Sequence, residues 1–170
     1  RRFLQDAETR SQNRVRLNQL ATTILEAVPG AALASDQPYR ELDLAVDFCE
    51  DVEALTDADI DRIVSLFKEA GAQAKVSSIH VNGWFGDFDK LEGVRRFHRD
   101  RFGDEIDMSR WAFFGDSAND EPIFAAFEHS IGVANVADFL GRMEAHPTWI
   151  TKGIGGHGFI EGMRKLLLNP

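Results

Sequence analysis

One acidic loop carries the strongest chemical signal in the sequence. The apolar residues 111–114 are followed by Gly115, and after it come two aspartates four residues apart, Asp116 and Asp120. Ligands of open α/β sheets bind just beyond the carboxyl ends of the strands, so two carboxylates at this place can converge on one cation. Mg²⁺ takes oxygen ligands from one or two carboxylates and keeps positions for a substrate phosphate. The loop therefore predicts a magnesium site beside a phosphorylated ligand.

The same residues also fit a purely structural role. Asp116 can begin a turn, while Ser117 or Asn119 caps the helix that follows and the acidic side chains favour its positive N-terminal end. Asp, Ser and Asn are ordinary loop residues, so the loop taken alone leaves both interpretations open.

A second signal lies at the start of a helix predicted over residues 89–101. Asp89 and Glu92 have the spacing of a capping box, which puts Lys90 in the first helical turn. The helix dipole disfavours a cation there by a few tenths to about 1 kcal/mol. A lysine in this position is explained if it meets an anion. The alternative is a solvated lysine that is balanced by neighbouring carboxylates.

Three further residues are weaker site candidates. His80 and Asn82 lie on a strand predicted over residues 75–84, where they either face a substrate cleft or form a hydrogen-bonded structural pair. His157 lies in the glycine-rich residues 153–158, which lack the Lys-Ser/Thr end of a P-loop. That stretch is interpreted as a turn near the rim of the site.

Composition excludes several classes of function. The 170 residues carry a net charge of −9, which argues against nucleic acid and also opposes an anionic substrate unless a cation offsets it. No apolar run approaches the ~20 residues of a membrane span. The single cysteine, Cys49, forms no intrachain disulfide, and its acidic neighbours disfavour a reactive thiolate. We expect a cytoplasmic protein whose partner is a small phosphorylated metabolite, with neither nucleic acid nor a membrane as partner.

The chain divides into three predicted parts. Residues 1–9 are a frayed lead-in, residues 10–84 form an α+β unit, and residues 85–170 alternate apolar strands with helices, as a parallel sheet covered on both faces requires. The fold class is α/β. Helices are predicted over 14–28, 56–71, 89–101, 119–127, 136–143 and 159–168, and strands over 31–34, 42–48, 75–84, 111–114, 131–134 and 149–151.

Together the two motifs resemble those of a known family. Gly115-Asp116-Ser117-Ala118-Asn119-Asp120 resembles the fourth motif of haloacid dehalogenase-like (HAD) phosphatases, and Lys90 is similar to the lysine of their third motif. The unit at 10–84 takes the place of the cap in the Cof-like subgroup, which includes sucrose-phosphate and mannosyl-phosphoglycerate phosphatases. The resemblance implies the C-terminal half of a Rossmann-like parallel core together with an α+β cap.

The resemblance also implies a reaction and a role for each residue. The reaction is hydrolysis of a phosphate monoester, in particular a sugar phosphate, through an aspartyl-phosphate with Mg²⁺. Lys90 and Asp116 are the catalytic residues, and Lys90 neutralises the transferring phosphoryl group. Asp116 and Asp120 are the metal residues, with Asp120 holding metal-bound water or orienting the lysine. Ser117 and Asn119 border the phosphate.

One departure from the family pattern changes the expectation for this chain. The first motif, Asp-x-Asp after a buried strand, has no counterpart, because Asp57-Ala58-Asp59 lies on a predicted helix and Asp87-Phe88-Asp89 lies beside the lysine. We therefore expect a truncated chain that is inactive alone and that forms a homodimer through an exposed core edge. The alternatives are a non-catalytic binding or partner-complemented fragment, and a magnesium-binding receiver domain.

Overall fold

The computed structural model describes residues 3–168 and divides the chain into two compact units, Arg1–Asp87 and Phe88–Pro170. The sequence predicts the boundary between the two units three residues earlier, between residues 84 and 85. None of the helices in the described residues combines the length and the apolar character needed to cross a bilayer.

The first unit packs two helices against one face of an antiparallel sheet. The strand order is β1-β2-β4-β3. Thr56 and Asp59 form a capping box at the start of α2, and Gly71, with φ +76°, follows its end. The elements are α1 Ala7–Ala27, β1 Ala32–Leu33, β2 Asp43–Asp47, α2 Asp57–Glu69, β3 Gln73–Val76 and β4 His80–Trp84.

The alternation of residues along β2 and β4 separates an apolar face from a polar one. Val46 and Val81 are cross-strand partners with no exposed surface, and they belong to the same core as Ile24 of α1 and Phe67 of α2. Neighbouring positions point to the opposite face because the side-chain period of a strand is two. The sequence pattern therefore determines which face meets the apolar core, while Ala45 and Asp47 of the other face are buried as well.

Two predictions for the first unit are wrong. Helix α1 begins at Ala7, because the Asp6 side chain accepts a hydrogen bond from the Thr9 N–H and caps it, so residues 7–9 are helical and not a frayed lead-in. The predicted strand 75–84 is two strands, β3 and β4, joined by a turn. In that turn the backbone N–H of Ser77 donates to the His80 carbonyl over 2.8 Å.

The second unit contains the predicted three-stranded parallel sheet, and its strand order is β5-β6-β7. The predicted fold class, a partial parallel core with an α+β cap, is confirmed. Short 3-10 helices occupy 108–110, 118–120 and 134–142. The remaining elements are α3 Lys90–Phe102, β5 Ala112–Gly115, α4 Glu121–Ala126, β6 His129–Gly132, β7 Trp149–Ile150 and α5 Gly155–Leu168.

Glycines explain the largest boundary error in this unit. Helix α5 begins at Gly155 and not at residue 159, so most of the glycine-rich stretch is helical. Gly158 lies against the end of β7, where an added Cβ would come within 2.2 Å of the Gly153 carbonyl oxygen. The helix therefore starts close to the strand because these residues have no side chains. The predicted helix 136–143 is a 3-10 helix over 134–142, and the strand expected at 131–134 lies at 129–132.

Candidate functional site

The candidate site begins where β5 ends. Gly115 is the last residue of this strand, and an added Cβ would lie 2.6 Å from Asp120 Oδ2 and 2.7 Å from Phe124 Cζ. Glycine therefore lets the side chain of Asp120 fold back against the strand end. The chain continues through Ser117, in extended conformation, into the 3-10 helix 118–120 and then directly into α4.

Asp120 is the central residue of this loop. It is 3% exposed, and its two carboxylate oxygens have different partners. Oδ2 accepts a hydrogen bond from the backbone N–H of Asp116 over 2.9 Å, and Oδ1 accepts one from Lys90 Nζ over 2.6 Å. One buried carboxylate thus fixes the loop backbone and also binds Lys90. This lysine precedes the loop by 26 or more residues in the sequence.

Lys90 reaches the loop from the first residue of α3. The helix is capped by Asp89, whose side chain accepts a hydrogen bond from the Glu92 N–H. Nζ also donates to Asn119 Oδ1 over 3.0 Å, and the side chain remains 51% exposed. An ammonium group has three donors, so two of them serve the protein and the third can meet an anionic ligand. The unfavourable place of this cation on its helix is explained by the carboxylate that it contacts.

Asp116 is half-buried, and its carboxylate is the site's available oxygen ligand. Its Oδ1 lies 3.1 Å from Ser117 Oγ, which also lies 3.2 Å from Asn119 Oδ1, so one hydroxyl proton serves either acceptor. Within residues 3–168, no cation contacts this carboxylate. Carboxylate and amide oxygens are hard ligands that fit Mg²⁺, which needs one or two carboxylates from the protein. The donor set of this loop therefore fits such an ion.

The structure brings together five of the residues that the sequence singles out: Lys90, Asp116, Ser117, Asn119 and Asp120. The other three lie elsewhere. His157 is exposed in the first turn of α5 and makes no side-chain hydrogen bond to these five in the described part of the chain. His80 and Asn82 belong to the first unit and do not pair with each other, since His80 contacts Glu50 and Asn82 accepts a hydrogen bond from Arg40.

Sequence reasoning missed the polar residues that accompany His80. Asp47 has no exposed surface, and it faces His80 across the β2–β4 pair. An aspartate in an alternating strand predicts a solvent-facing side chain, and that rule fails here because the loop after β2 folds over the carboxylate. The only sequence signal was the position of Asp47 at the end of the strand, three residues before the acidic pair Glu50 and Asp51.

Comparisons with known proteins give a fold and no close relative. No protein-family model and no curated protein matches this sequence. Among solved structures, a Thermoplasma acidophilum protein, 0175, is 17% identical with a TM-score of 0.62 over 88% of this chain and 60% of its own. The sucrose-phosphatase of Synechocystis sp. PCC6803, solved with sucrose and phosphate, is 15% identical with a TM-score of 0.60 over 93% and 66%.

A third solved structure identifies the fold. The HAD subclass IIB sugar phosphatase BT4131 is 12% identical, with a TM-score of 0.60 over 91% of this chain and 66% of its own. The chain has a HAD-like fold. In this fold the parallel sheet of the second unit belongs to the core and the antiparallel unit is the cap, which confirms the fold implied by the motifs. The chain spans 60 to 66% of the length of these three proteins.

Proposed function

We propose that the protein to which this chain belongs hydrolyses a small phosphate monoester, a sugar phosphate, with Mg²⁺ as cofactor. The observation that carries the proposal is the contact of Lys90 with Asp120, beside Asp116, at the carboxyl end of β5. Two proteins of similar fold are described as a sucrose-phosphatase and a sugar phosphatase, and these descriptions support the substrate class.

In this proposal the residues act mainly on charge and position. The third donor of Lys90 binds a phosphoryl oxygen, and Asp116 holds Mg²⁺, whose chemistry is to neutralise the charge of the phosphate. Asp120 orients Lys90, while Ser117 and Asn119 border the phosphate. Preorganised charges of this kind supply most of the catalysis of phosphoryl transfer. A cation is needed all the more because the chain has a net charge of −9.

The proposed chemistry has two steps. A carboxylate attacks phosphorus and the P–O bond to the sugar breaks, with the sugar oxygen leaving as an alcohol after it gains a proton. Water then attacks the phosphorus of the aspartyl-phosphate, which releases inorganic phosphate and restores the carboxylate. Residues 3–168, which the structure describes, offer no Asp-x-Asp set after a parallel strand, since Asp57-Ala58-Asp59 begins α2 and Asp87-Phe88-Asp89 precedes α3. We therefore assign the attacking carboxylate to a segment outside them.

Binding of phosphate to this chain tests the proposal without requiring turnover. In ¹H–¹⁵N spectra, inorganic phosphate with Mg²⁺ is expected to shift the amide signals of residues 116–120, because the ligands sit at this loop. Lys90→Met is expected to weaken phosphate binding at least tenfold, and Asp116→Asn to remove its dependence on Mg²⁺. The matched controls are Lys68→Met and Asp138→Asn, two exposed positions that are not among the proposed ligand residues.

Two results would contradict the proposal. One is phosphate binding that is unchanged in Lys90→Met, and the other is a set of shifts that avoids residues 116–120. The cytoplasmic location and the homodimer through the core edge stay predictions from the sequence.

A further inference from the structure

A second group of polar side chains belongs to the first unit and shares no residue with the loop that carries the proposed function. Asp47 ends β2, Glu50 follows in the next loop, and His80 begins β4. Asp47 and His80 are directly opposite each other in the antiparallel pair, so their side chains lie on the same face of the sheet. One ligand atom from each of the three residues lies within 4.8 Å of the other two.

The carboxylate of Asp47 is buried and held in one orientation. Its Oδ1 accepts hydrogen bonds from the backbone N–H groups of Cys49 and Glu50, and its Oδ2 accepts one from Asp51. Burial raises the pKa of Asp47, but these three donors together outweigh burial and lower it, so the group is a carboxylate at neutral pH. A carboxylate has about four lone-pair sites, which leaves one on Oδ2 for a further partner.

His80 is a buried histidine, and its ring nitrogen Nε2 has no hydrogen-bond partner among the described residues. The residue is 6% exposed, and Nε2 lies 2.8 Å from Glu50 Oε2, within the range of an ion pair. That contact does not have the alignment of a hydrogen bond, and no other described residue supplies one. Buried ring nitrogens normally have a hydrogen-bond partner, and an orphaned one calls for a ligand such as an ion.

We propose that Asp47, Glu50 and His80 bind one divalent transition-metal ion of the zinc class. Zinc lies about 2.0–2.2 Å from imidazole nitrogen and carboxylate oxygen, so tetrahedral ligand atoms are about 3.3 Å apart. The separation of 2.8 Å between His80 Nε2 and Glu50 Oε2 and the upper limit of 4.8 Å on the other two separations lie on either side of that value, and the Glu50 side chain is 41% exposed. The backbone donors on Asp47 fix a ligand carboxylate in the way that outer-shell hydrogen bonds usually do.

The chemistry of the three ligands separates this site from a magnesium site. Mg²⁺ takes oxygen ligands, whereas imidazole nitrogen favours zinc and its neighbours in the transition series. Three protein ligands leave a fourth position for water or for an atom of a bound molecule. Cys49 is not counted among the ligands, because its Sγ contacts the Ser78 carbonyl over 3.6 Å and the converging ligand atoms are those of Asp47, Glu50 and His80.

Calorimetric titration of Zn²⁺ into the full chain, without a polyhistidine tag, tests the proposal. We expect one saturable site that a large excess of Mg²⁺ does not occupy. Glu50→Gln is expected to weaken Zn²⁺ binding at least tenfold, and His80→Asn to abolish it. Glu53→Gln and His129→Asn are the matched controls, since both residues are exposed and outside the cluster. Co²⁺ in place of Zn²⁺ should give the visible absorption of a four-coordinate ion.

Several outcomes would overturn the metal site. They are the absence of saturable binding, unchanged affinity in Glu50→Gln, and binding that is lost instead in Asp116→Asn, which would move the ion to the loop after β5. If His80→Asn does not fold, the ¹⁵N signal of His80 Nε2 in the unaltered chain decides the matter. A signal that responds to pH but not to Zn²⁺ means that His80 and Glu50 form only an ion pair.

Discussion

At the scale of single residues, buried and half-buried carboxylates organise this protein by accepting hydrogen bonds from the backbone. Asp120 binds the Asp116 N–H with one oxygen and Lys90 with the other. Glu161 of α5 accepts hydrogen bonds from the N–H groups of Lys152 and Gly153, which lie two and three residues after the end of β7. In each case an acidic side chain satisfies backbone donors at the end of a parallel strand, and its charge is stabilised there.

Glu161 gives a pH-dependent contribution to stability. The hydrogen bonds from Lys152 and then Gly153 lower its pKa below the ordinary value of about 4.3. A group whose pKa is depressed by folding stabilises the native state above its unfolded-state pKa, and that stability is lost as the pH falls through the folded-state pKa. Glu161→Gln should therefore lower the urea midpoint at pH 6 and have a smaller effect at pH 3.

The exposed Glu128 provides the matched control for this prediction. Glu128→Gln should leave the difference in urea midpoint between pH 3 and pH 6 unchanged. An effect of Glu161→Gln that is equally large at pH 3 and pH 6 would show that packing, and not charge, is responsible.

At the scale of elements, the connection from β5 to α4 determines where the site residues lie. It is short because a single extended residue, Ser117, joins the loop to a 3-10 helix that runs on into α4, which has Pro122 in its first turn. Proline is favoured there because its fixed φ suits a helix start and its missing N–H is not needed. This compact path keeps Asp116, Asn119 and Asp120 on one side of the strand end.

The connection depends on the absence of a side chain at Gly115. In Gly115→Ala the new methyl group meets Asp120 Oδ2 and Phe124, both packed beside it, and one of them must move. We expect a loss of about 1–3 kcal/mol in the free energy of unfolding, which is typical of overpacking. The displaced Asp120 should also weaken phosphate binding, which the amide shifts of residues 116–120 would report.

Gly141 is the matched glycine for this experiment. It is exposed on the 3-10 helix 134–142, with nothing within 4 Å of an added Cβ. Gly141→Ala should change stability by no more than about 0.5 kcal/mol, as surface substitutions usually do. Equal effects of the two substitutions would mean that the close approach at Gly115 does not matter.

At the scale of the whole molecule, each unit has its own core and its own sheet. The core of the first unit includes Ile24, Ile63, Phe67 and Val81, all without exposed surface. In the second unit, Phe124 and Val136 are buried with Ala118 and Met143. The two proposed ligand sites follow this division, since the phosphate site uses only residues of the second unit and the metal cluster only residues of the first.

The whole chain is expected to show no phosphatase turnover by itself. The part of the chain that the structure describes contains the proposed lysine and metal residues but no Asp-x-Asp set after a parallel strand that could form the proposed aspartyl-phosphate. Purified chain with p-nitrophenyl phosphate and Mg²⁺ should therefore release p-nitrophenol at the rate of the buffer. Activity that Asp116→Asn removes would contradict this prediction, whereas activity that survives the substitution would indicate a contaminant.

Particular residues show how much of the structure the sequence predicted. The capping box of Thr56 and Asp59 and the α/β alternation after residue 88 are local patterns, and the structure has both. The turn at Ser77 was missed because two serines between β-favouring residues do not interrupt a strand pattern, and only the pairing of β3 with β4 reveals it. The start of α1 was missed because residues 7–13 carry almost no apolar periodicity.

By itself, the sequence determined the fold class, the acidic loop after β5 and the lysine at the start of α3, because these depend on periodicity, capping and motif spacing within short stretches. The tertiary structure alone decided that Lys90 meets Asp120, a contact between residues 30 positions apart. It also decided that Asp47, Glu50 and His80 converge, since strand register and a loop folding over a carboxylate join positions that no local pattern relates.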